Sequence, residues 1–260
     1  MLYITLGFVN LRFFICDMNL IIDVGNTKVK LAVFKEQKLV KKASATHKNF
    51  LSKINKIQKD YPEIQHSIIS SVANISDQDI EQLKSKFKIL VLNRSTKVPF
   101  KNCYETPTTL GVDRIALVSA SVNKYPDKNV LIIDAGTCIT YDFITAQDEY
   151  LGGAISPGIK MRYNALHNLT ANLPLLDIKP PKNLIGNSTS ESIHSGIING
   201  ILKEIDGIVQ EYEKKYQDLT VILTGGDTKF LSKQLKSSIF ANSNFLLEGL
   251  NFILEYNTNE

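Results

Sequence analysis

One hexapeptide recurs in this chain with a single change, Val24 to Ala135. Leu20-Ile21-Ile22-Asp23-Val24-Gly25 returns 111 residues later as Leu131-Ile132-Ile133-Asp134-Ala135-Gly136, and each copy is followed within two residues by a threonine, Thr27 or Thr137. Both copies are an apolar run of strand type, then Asp-x-Gly, then a second strand-like stretch at 28–34 and 139–144. That pattern reads as a β-hairpin whose tight turn carries a carboxylate at its mouth. A repeat at this spacing constrains the fold more than any other feature, because it asks for two halves of similar design, each built on one hairpin. The 260 residues are enough to give both halves a real core without disulfide or metal staples.

The pattern around the hairpins alternates between helix and strand. Phe50, Leu51, Ile54 and Ile57 have helical spacing over 49–59, 67–72 reads as a strand, and 76–87 reads as a helix capped by Ser76. A strand at 88–92 precedes a loop over 93–110 that holds Pro99 and Pro107, and a helix over 113–124 ends before Pro126. In the second half, strands fall between 130 and 156 and a helical stretch covers 160–172. A proline-rich break at Pro174, Pro180 and Pro181 follows. A long helix then starts at Ser188, with Glu191 at capping-box spacing and Ile193, Ile197, Ile201, Ile205, Ile208 and Tyr212 as its buried stripe. Val221-Ile222-Leu223 is a buried strand leading into Thr224-Gly225-Gly226-Asp227. The expected fold is α/β, with an N-terminal half over 18–128 and a C-terminal half over 129–260 facing one another.

Charge and cysteine usage exclude several classes. Residues 1–128 hold 20 Lys/Arg against 11 Asp/Glu, whereas 129–260 hold 10 against 15. The lysines of the basic half (Lys35, Lys38, Lys41, Lys42, Lys53, Lys56, Lys59) are scattered among polar residues with no aromatic interleaving, so they read as a solvated surface and not as a nucleic-acid interface. Cys16, Cys103 and Cys138 have no Cys-x-x-Cys spacing, which supports neither a disulfide framework nor a zinc site and fits a reducing compartment. Residues 1–17 are apolar but interrupted by Asn10 and Arg12, with neither the flanks of a signal peptide nor the length of a membrane span. They are read as a non-native extension upstream of a true start at Met18.

The hairpin turns are suited to holding phosphate. Gly25 lets the backbone come close to an anion, the N–H groups and the Asn26 and Thr27 side chains can donate to it, and Asp23 can hold a hydrated Mg²⁺. Taken singly, the same turn is equally a hairpin stabilised by an Asp bonding its own backbone. Two such turns at the inner ends of facing sheets would close on one anion from both sides. Gly111-Val112-Asp113-Arg114 opens a helix between them. The helix dipole stabilises a carboxylate at Asp113, which makes it a modest base of the kind phosphoryl transfer needs. Arg114 offers a planar fork for a substrate carboxylate. The plainer alternative is a helix-start Asp paired with Arg114 on the surface. Gly152-Gly153-Ala154-Ile155-Ser156-Pro157-Gly158 reads as a glycine-permissive turn joining strand to helix, or as a wall where backbone approaches ligand.

The paired turns, with Thr224-Gly225-Gly226 after a strand, resemble the phosphate clamp of the actin, Hsp70 and sugar-kinase superfamily, built from two duplicated ribonuclease H-like α/β halves. More narrowly, Asp23-Val24-Gly25-Asn26-Thr27, Gly111-Val112-Asp113-Arg114, Asp134-Ala135-Gly136-Thr137, Gly152-Gly153 with Pro157-Gly158, Thr189 seven residues before Gly196, and Thr224-Gly225-Gly226 resemble the successive motifs of type III pantothenate kinases. The likeness runs from Met18 to the C-terminus. Val112 stands where alanine is common, and Cys138 and Tyr141 are particular to this second hairpin, where Thr140 and Asp142 are kept.

The resemblance implies ATP-dependent phosphorylation of pantothenate to 4′-phosphopantothenate, the first step of coenzyme A synthesis, in the cytoplasm. It implies ATP phosphates on Asp23, Val24, Gly25, Asn26, Thr27, Lys28, Val29 and Lys30, with Thr137 on the nucleotide from the other half. Asp113 would take the proton from the pantothenate hydroxyl, and Tyr104, Gly111, Val112, Asp113, Arg114 and Thr189 would line the pantothenate site. Asp134 corresponds to the ligand of a monovalent cation, K⁺ or NH₄⁺, while Mg²⁺ accompanies ATP. A homodimer is implied, with the pantothenate pocket completed near the interface, and no nucleic acid or membrane partner. The rival of a different class is a non-catalytic nucleotide-binding regulator of the same superfamily. Asp113 discriminates, since such a protein needs no base placed toward a second substrate.

Overall fold

The computed structural model describes residues 18–72 and 75–258. The extension read over 1–17, Cys16 included, lies outside the described residues. The first hairpin forms as its pattern predicts, with β1 (Met18–Val24) and β2 (Val29–Lys35) antiparallel in a register that puts Asp23 opposite Lys30. β3 (Lys38–Ala45) extends the hairpin outward. Helix α1 (Phe50–Asp60) then crosses to β4 (Ile64–Ser71), which runs parallel to β1, and α2 (Asp77–Lys84) leads to β5 (Lys88–Val91) beside β4. Ser76 caps α2 by accepting from the Asp79 amide at 3.1 Å, as expected. The sheet order is β3-β2-β1-β4-β5. Lys38, Lys41 and Lys42 sit on β3, an edge strand whose charges discourage pairing with another chain, which accounts for part of the basic first half.

The segment after β5 includes β6 (Lys101–Asn102) and a 3-10 turn over Pro107–Thr109 before α3 (Val112–Lys124). The second hairpin, β7 (Asn129–Ala135) and β8 (Cys138–Ile144), is extended by β9 (Glu149–Pro157). Helices α4 (Ile159–Asn168) and α5 (Thr189–Lys215) lead to β10 (Leu219–Thr224), then α6 (Thr228–Leu231), β11 (Phe240–Ala241) and α7 (Phe245–Thr258). This sheet reads β11-β10-β7-β8-β9-β6. Setting β6 aside, it repeats the first sheet: a hairpin extended antiparallel on one side, with two parallel strands on the other. The repeated hexapeptide is therefore the visible remnant of a repeated topology.

Three apolar clusters hold the layers. The inner one joins both sheets, with Ile21 and Ile68 from the first and Val130, Ile132 and Ile222 from the second packing on α3 and α7. Every residue of α3 from Arg114 to Ser121 is buried, as a helix packed on more than one side requires. α7 crosses it closely at Gly249, where a Cβ would stand 1.9 Å from the Ala116 carbonyl oxygen. The outer clusters lie under α1 and under α4 and α5. On α5, Ile193, Ile197, Ile201 and Ile205 are buried as predicted. The buried stripe continues in steps of four to Val209, while Ile208 and Tyr212, which the expected stripe reached by a step of three, flank it half-buried. The Ser188 hydroxyl caps the Glu191 amide at 3.3 Å, while the Glu191 carboxylate turns to the Lys182 amide instead of closing the box.

Gly152 and Gly153 differ from the turn reading. They lie inside β9, where a register shift opposite Phe143 and Ile144 bends the strand and Gly152 takes φ +103°. A Cβ on Gly153 would stand 1.5 Å from the Tyr141 carbonyl oxygen. The glycines answer to strand packing, and the turn into α4 falls to Gly158, its N-cap.

Candidate active site

Both hairpin mouths open on the side where α3 begins. In the first turn the Gly25 amide donates to the Lys28 carbonyl at 3.1 Å, and Asn26, Thr27 and Lys28 are exposed at the tip between buried Val24 and Val29. In the second, the Gly136 amide donates to the Cys138 carbonyl at 2.9 Å and Thr137 is exposed. A Cβ on Gly158 would stand 2.2 Å from the Gly136 carbonyl oxygen, so β9 can close on this turn only with glycine there.

Asp23 sits on the inner face of β1, buried, and its Oδ2 is 3.1 Å from Lys30 Nζ. Burial lifts its carboxyl above the usual range, Lys30 works against that, and the charge on Asp113 adds to it. Asp134 is the equivalent residue of β7. Burial pushes its carboxyl up to about 7; Lys30 opposes this, and Asp113, Asp23 and Asp142 reinforce it. Among the described residues Asp134 has no hydrogen-bond or ion-pair partner. Its carboxylate lies where a Cβ on Gly225 would come within 2.4 Å of Oδ1, and Gly225 has φ +96°, so both space and backbone require glycine. The Thr224-Gly225-Gly226 motif thus abuts the second carboxylate directly.

Asp113 belongs to the first turn of α3. Its Oδ1 accepts from the Arg114 amide at 2.9 Å, and a Cβ on Gly111 would stand 2.3 Å from that oxygen. Gly111 therefore leaves the room in which the Asp113 carboxylate lies. Val112 packs on the inner core, so its methyl groups serve packing. Arg114 is not the surface partner of Asp113. It is 5% exposed, and its Nε donates to Asp142 Oδ1 at 2.7 Å. Burial works against its charge, but the Asp142 carboxylate outweighs this and holds the guanidinium pKa above its ordinary range. Its carbon lies 5.5 Å from the Tyr104 ring and 6.0 Å from the Tyr150 ring, and those two rings stack at 6.1 Å.

Asp23, Lys30, Asp113 and Asp134 thus share one electrostatic neighbourhood, with Gly111, Arg114 and Tyr104 alongside. Thr189 is elsewhere on the surface, exposed at the start of α5, and among the described residues no hydrogen bond ties it to this cluster. Tyr141 points away from it, its hydroxyl donating to Glu204 at 3.0 Å on the opposite face of the sheet. Sequence reasoning missed Ser70, which the parallel register sets beside Asp23 with a buried hydroxyl lacking a partner. The signal was available in the period-two placement of Ser70 on β4. A cavity of about 620 Å³ between β9 and the end of α5, lined by Phe143, Leu151, Tyr212 and Tyr216 among others, includes none of the acidic cluster.

The donor set fits hard cations. Among the described residues no three His, Cys, Asp or Glu side chains gather into a cage. Mg²⁺ bound to a nucleotide needs no such cage, since it takes one or two carboxylates and fills its shell with phosphate and water oxygens. An unpaired Asp134 amid other carboxylates likewise calls for positive charge.

Comparison with known proteins agrees with this chemistry. The family model described as Type III pantothenate kinase matches residues 19–211. A protein of that name from Christiangramia forsetii is 58% identical over 241 residues, covering 92% of this chain and 99% of the relative. Another from Flavobacterium psychrophilum is 47% identical over 239 residues, covering 92% of this chain and 99% of that one. Among solved structures, a glucokinase from an Antarctic psychrotroph superposes with a TM-score of 0.54 at 13% identity, covering 92% of this chain and 99% of that one, which shows a shared fold. The two-sheet α/β architecture is thus one that a sugar kinase also has. A match that runs through both hairpins at such identity means that the chain belongs to the type III pantothenate kinase family.

Proposed function

We propose that this chain transfers the γ-phosphoryl group of ATP to the hydroxyl of pantothenate, giving 4′-phosphopantothenate, with Asp113 as the proton acceptor. The observation that carries the reading is the meeting of Asp23, Asp113 and Asp134 at the mouths of two facing hairpins, within electrostatic reach of one another. Phosphoryl transfer asks for alignment and charge neutralisation more than for covalent chemistry. In this reading the halves 18–128 and 129–260 close on the nucleotide from either side. The exposed tip from Asn26 to Lys28, with Asp23, Val24, Gly25, Val29 and Lys30, cradles the phosphates, and Thr137 meets the nucleotide from the second turn. Asp23 would help to hold the Mg²⁺ that accompanies ATP, which would supply neutralisation of the phosphate charge. Asp134 binds K⁺ or NH₄⁺. Asp113 takes the proton of the attacking hydroxyl, held in the room that Gly111 leaves, and Arg114 beside Tyr104 receives the pantothenate carboxylate.

A homodimer forms part of the same reading. The segment before α5 exposes Leu184 and Ile185, the latter 83% accessible, and large apolar side chains clustered in this way mark an interaction surface. Thr189 follows directly, so a partner covering this segment would bring Thr189 toward the partner's pantothenate pocket. A cytoplasmic location fits, and among the described residues no helix is long and apolar enough to cross a membrane.

The test is ADP release on adding pantothenate to protein with Mg-ATP. Asp113→Asn should keep the fold and ATP contact and lower turnover by roughly 10²-fold or more, the scale of general-base catalysis. A wild-type protein that releases no pantothenate-dependent ADP would favour a nucleotide-binding regulator. Unchanged turnover in Asp113→Asn would remove Asp113 from the mechanism.

A further inference from the structure

Arg114 and Asp142 meet in an unusual way. Arginine and carboxylate commonly pair fork to fork, two N–H groups on two oxygens. Here one oxygen, Asp142 Oδ1, takes Arg114 Nε at 2.7 Å and the Tyr150 hydroxyl at 2.7 Å, and lies 2.7 Å from Arg114 Nη2 as well. The other oxygen, Oδ2, is buried and takes no N–H of the guanidinium; the Thr140 hydroxyl is the neighbour that steadies the carboxylate. Nη2 is also buried and completes no hydrogen bond. Asp142 therefore engages only the Nε edge of the guanidinium. Tyr104 also hydrogen-bonds the guanidinium, and of the five N–H donors the edge shared by the two terminal nitrogens is the one Asp142 does not take; that edge matches a second carboxylate. Tyr104 and Tyr150 flank the group, and Tyr104 can approach because Gly152 has no side chain, a Cβ there standing 3.0 Å from its ring.

A buried ion pair is poor evidence of stabilisation, because well-packed apolar residues serve as well. What it supplies is a fixed orientation. We infer that Asp142, braced by Tyr150, is a positioning residue that presents the remaining edge of Arg114 to the substrate's carboxylate. This rests on the pantothenate kinase reading above, in which Arg114 is the carboxylate contact. Asp142 itself touches neither substrate nor nucleotide and acts through Arg114.

The experiment compares KM for pantothenate and for ATP in the wild type, Arg114→Lys, Asp142→Asn, Tyr150→Phe and the Arg114→Lys/Asp142→Asn double variant. A misoriented binding group can cost about 10²-fold. Asp142→Asn is expected to raise the pantothenate KM on that scale while the ATP KM stays within about threefold, and Tyr150→Phe to shift it in the same sense by less. In the Arg114→Lys background, Asp142→Asn should add less than about threefold, since groups acting as one unit are not additive. Equal changes in both KM values, or full additivity, would overturn the inference. If Asp142→Asn fails to fold, Tyr150→Phe decides alone, because it removes a single hydroxyl. An impaired Arg114→Lys beside normal Asp142→Asn and Tyr150→Phe proteins would overturn the positioning role and leave the reading standing. A normal pantothenate KM in Arg114→Lys would overturn the substrate contact, and the positioning role with it.

Discussion

The two hairpin mouths begin from nearly the same sequence and reach different electrostatic solutions. In the first, four residues join the strands, and Lys30 on the partner strand sits 3.1 Å from Asp23. In the second, the connection is the two residues Gly136 and Thr137, and Thr140 stands opposite Asp134 where Lys30 stands opposite Asp23. Asp134 keeps no partner among the described residues, and its pKa rises to about 7. Duplication copied the carboxylate but not its counter-charge. The first turn carries its own cation, and the second, in the function proposed above, takes one from solution.

That contrast can be broken most forcibly at the glycines. Gly225→Ala puts a Cβ 2.2 Å from the Ala135 carbonyl oxygen on a backbone with φ +96°, directly beneath Asp134. It should cost upward of about 2 kcal/mol in chemical denaturation, the range for strained backbone with overlap. Gly25→Ala meets only the Lys28 carbonyl oxygen at 3.3 Å and should cost about 1 kcal/mol or less. Equal penalties would mean that the two turns are equally constrained.

Lys30→Met should turn the first mouth into a copy of the second. Asp23 would then stand unpaired, and the ATP KM should rise about 10-fold, the worth of one charge-assisted hydrogen bond. An unchanged ATP KM would show that Lys30 serves the buried carboxylates and not the nucleotide.

A smaller effect concerns pH. The Asp134 carboxyl holds its proton to about 7 in the folded protein, against 3.8 ordinarily. The native state thus binds more protons than the unfolded chain between those values, and without a cation the stability falls as pH rises from about 4 to about 7. Asp134→Asn should flatten that part of the profile and raise the melting temperature at pH 8 in a buffer of bulky organic cations. A profile identical to the wild type would place the burden on another group.

Much of this was legible in the chain. The apolar runs ending in Asp-x-Gly gave both hairpins, and the isoleucine spacing gave most of the α5 stripe, because such patterns are local and periodic. The remaining features depend on contacts between distant segments. β6 is two residues whose only strand partner among the described residues is β9, 48 positions away from Lys101 at Glu149, and nothing local marks it. Gly152 and Gly153 look like a turn in sequence, whereas the crowding that demands them comes from Tyr104 and Tyr141. Arg114 reads as a free fork until Asp142, 28 residues on, takes one of its edges.

The most direct test of the difference between the mouths is pantothenate-dependent ADP release in K⁺ or NH₄⁺ against Na⁺, for the wild type and for Asp134→Asn. The wild type should respond to the cation, with the half-saturating K⁺ concentration rising as pH falls below about 7, where Asp134 takes up its proton. Asp134→Asn should be slow and indifferent to the cation, while Lys30→Met keeps the K⁺ response. A wild type indifferent to the cation, or an Asp134→Asn protein that still responds to K⁺, would contradict the role given to the second turn.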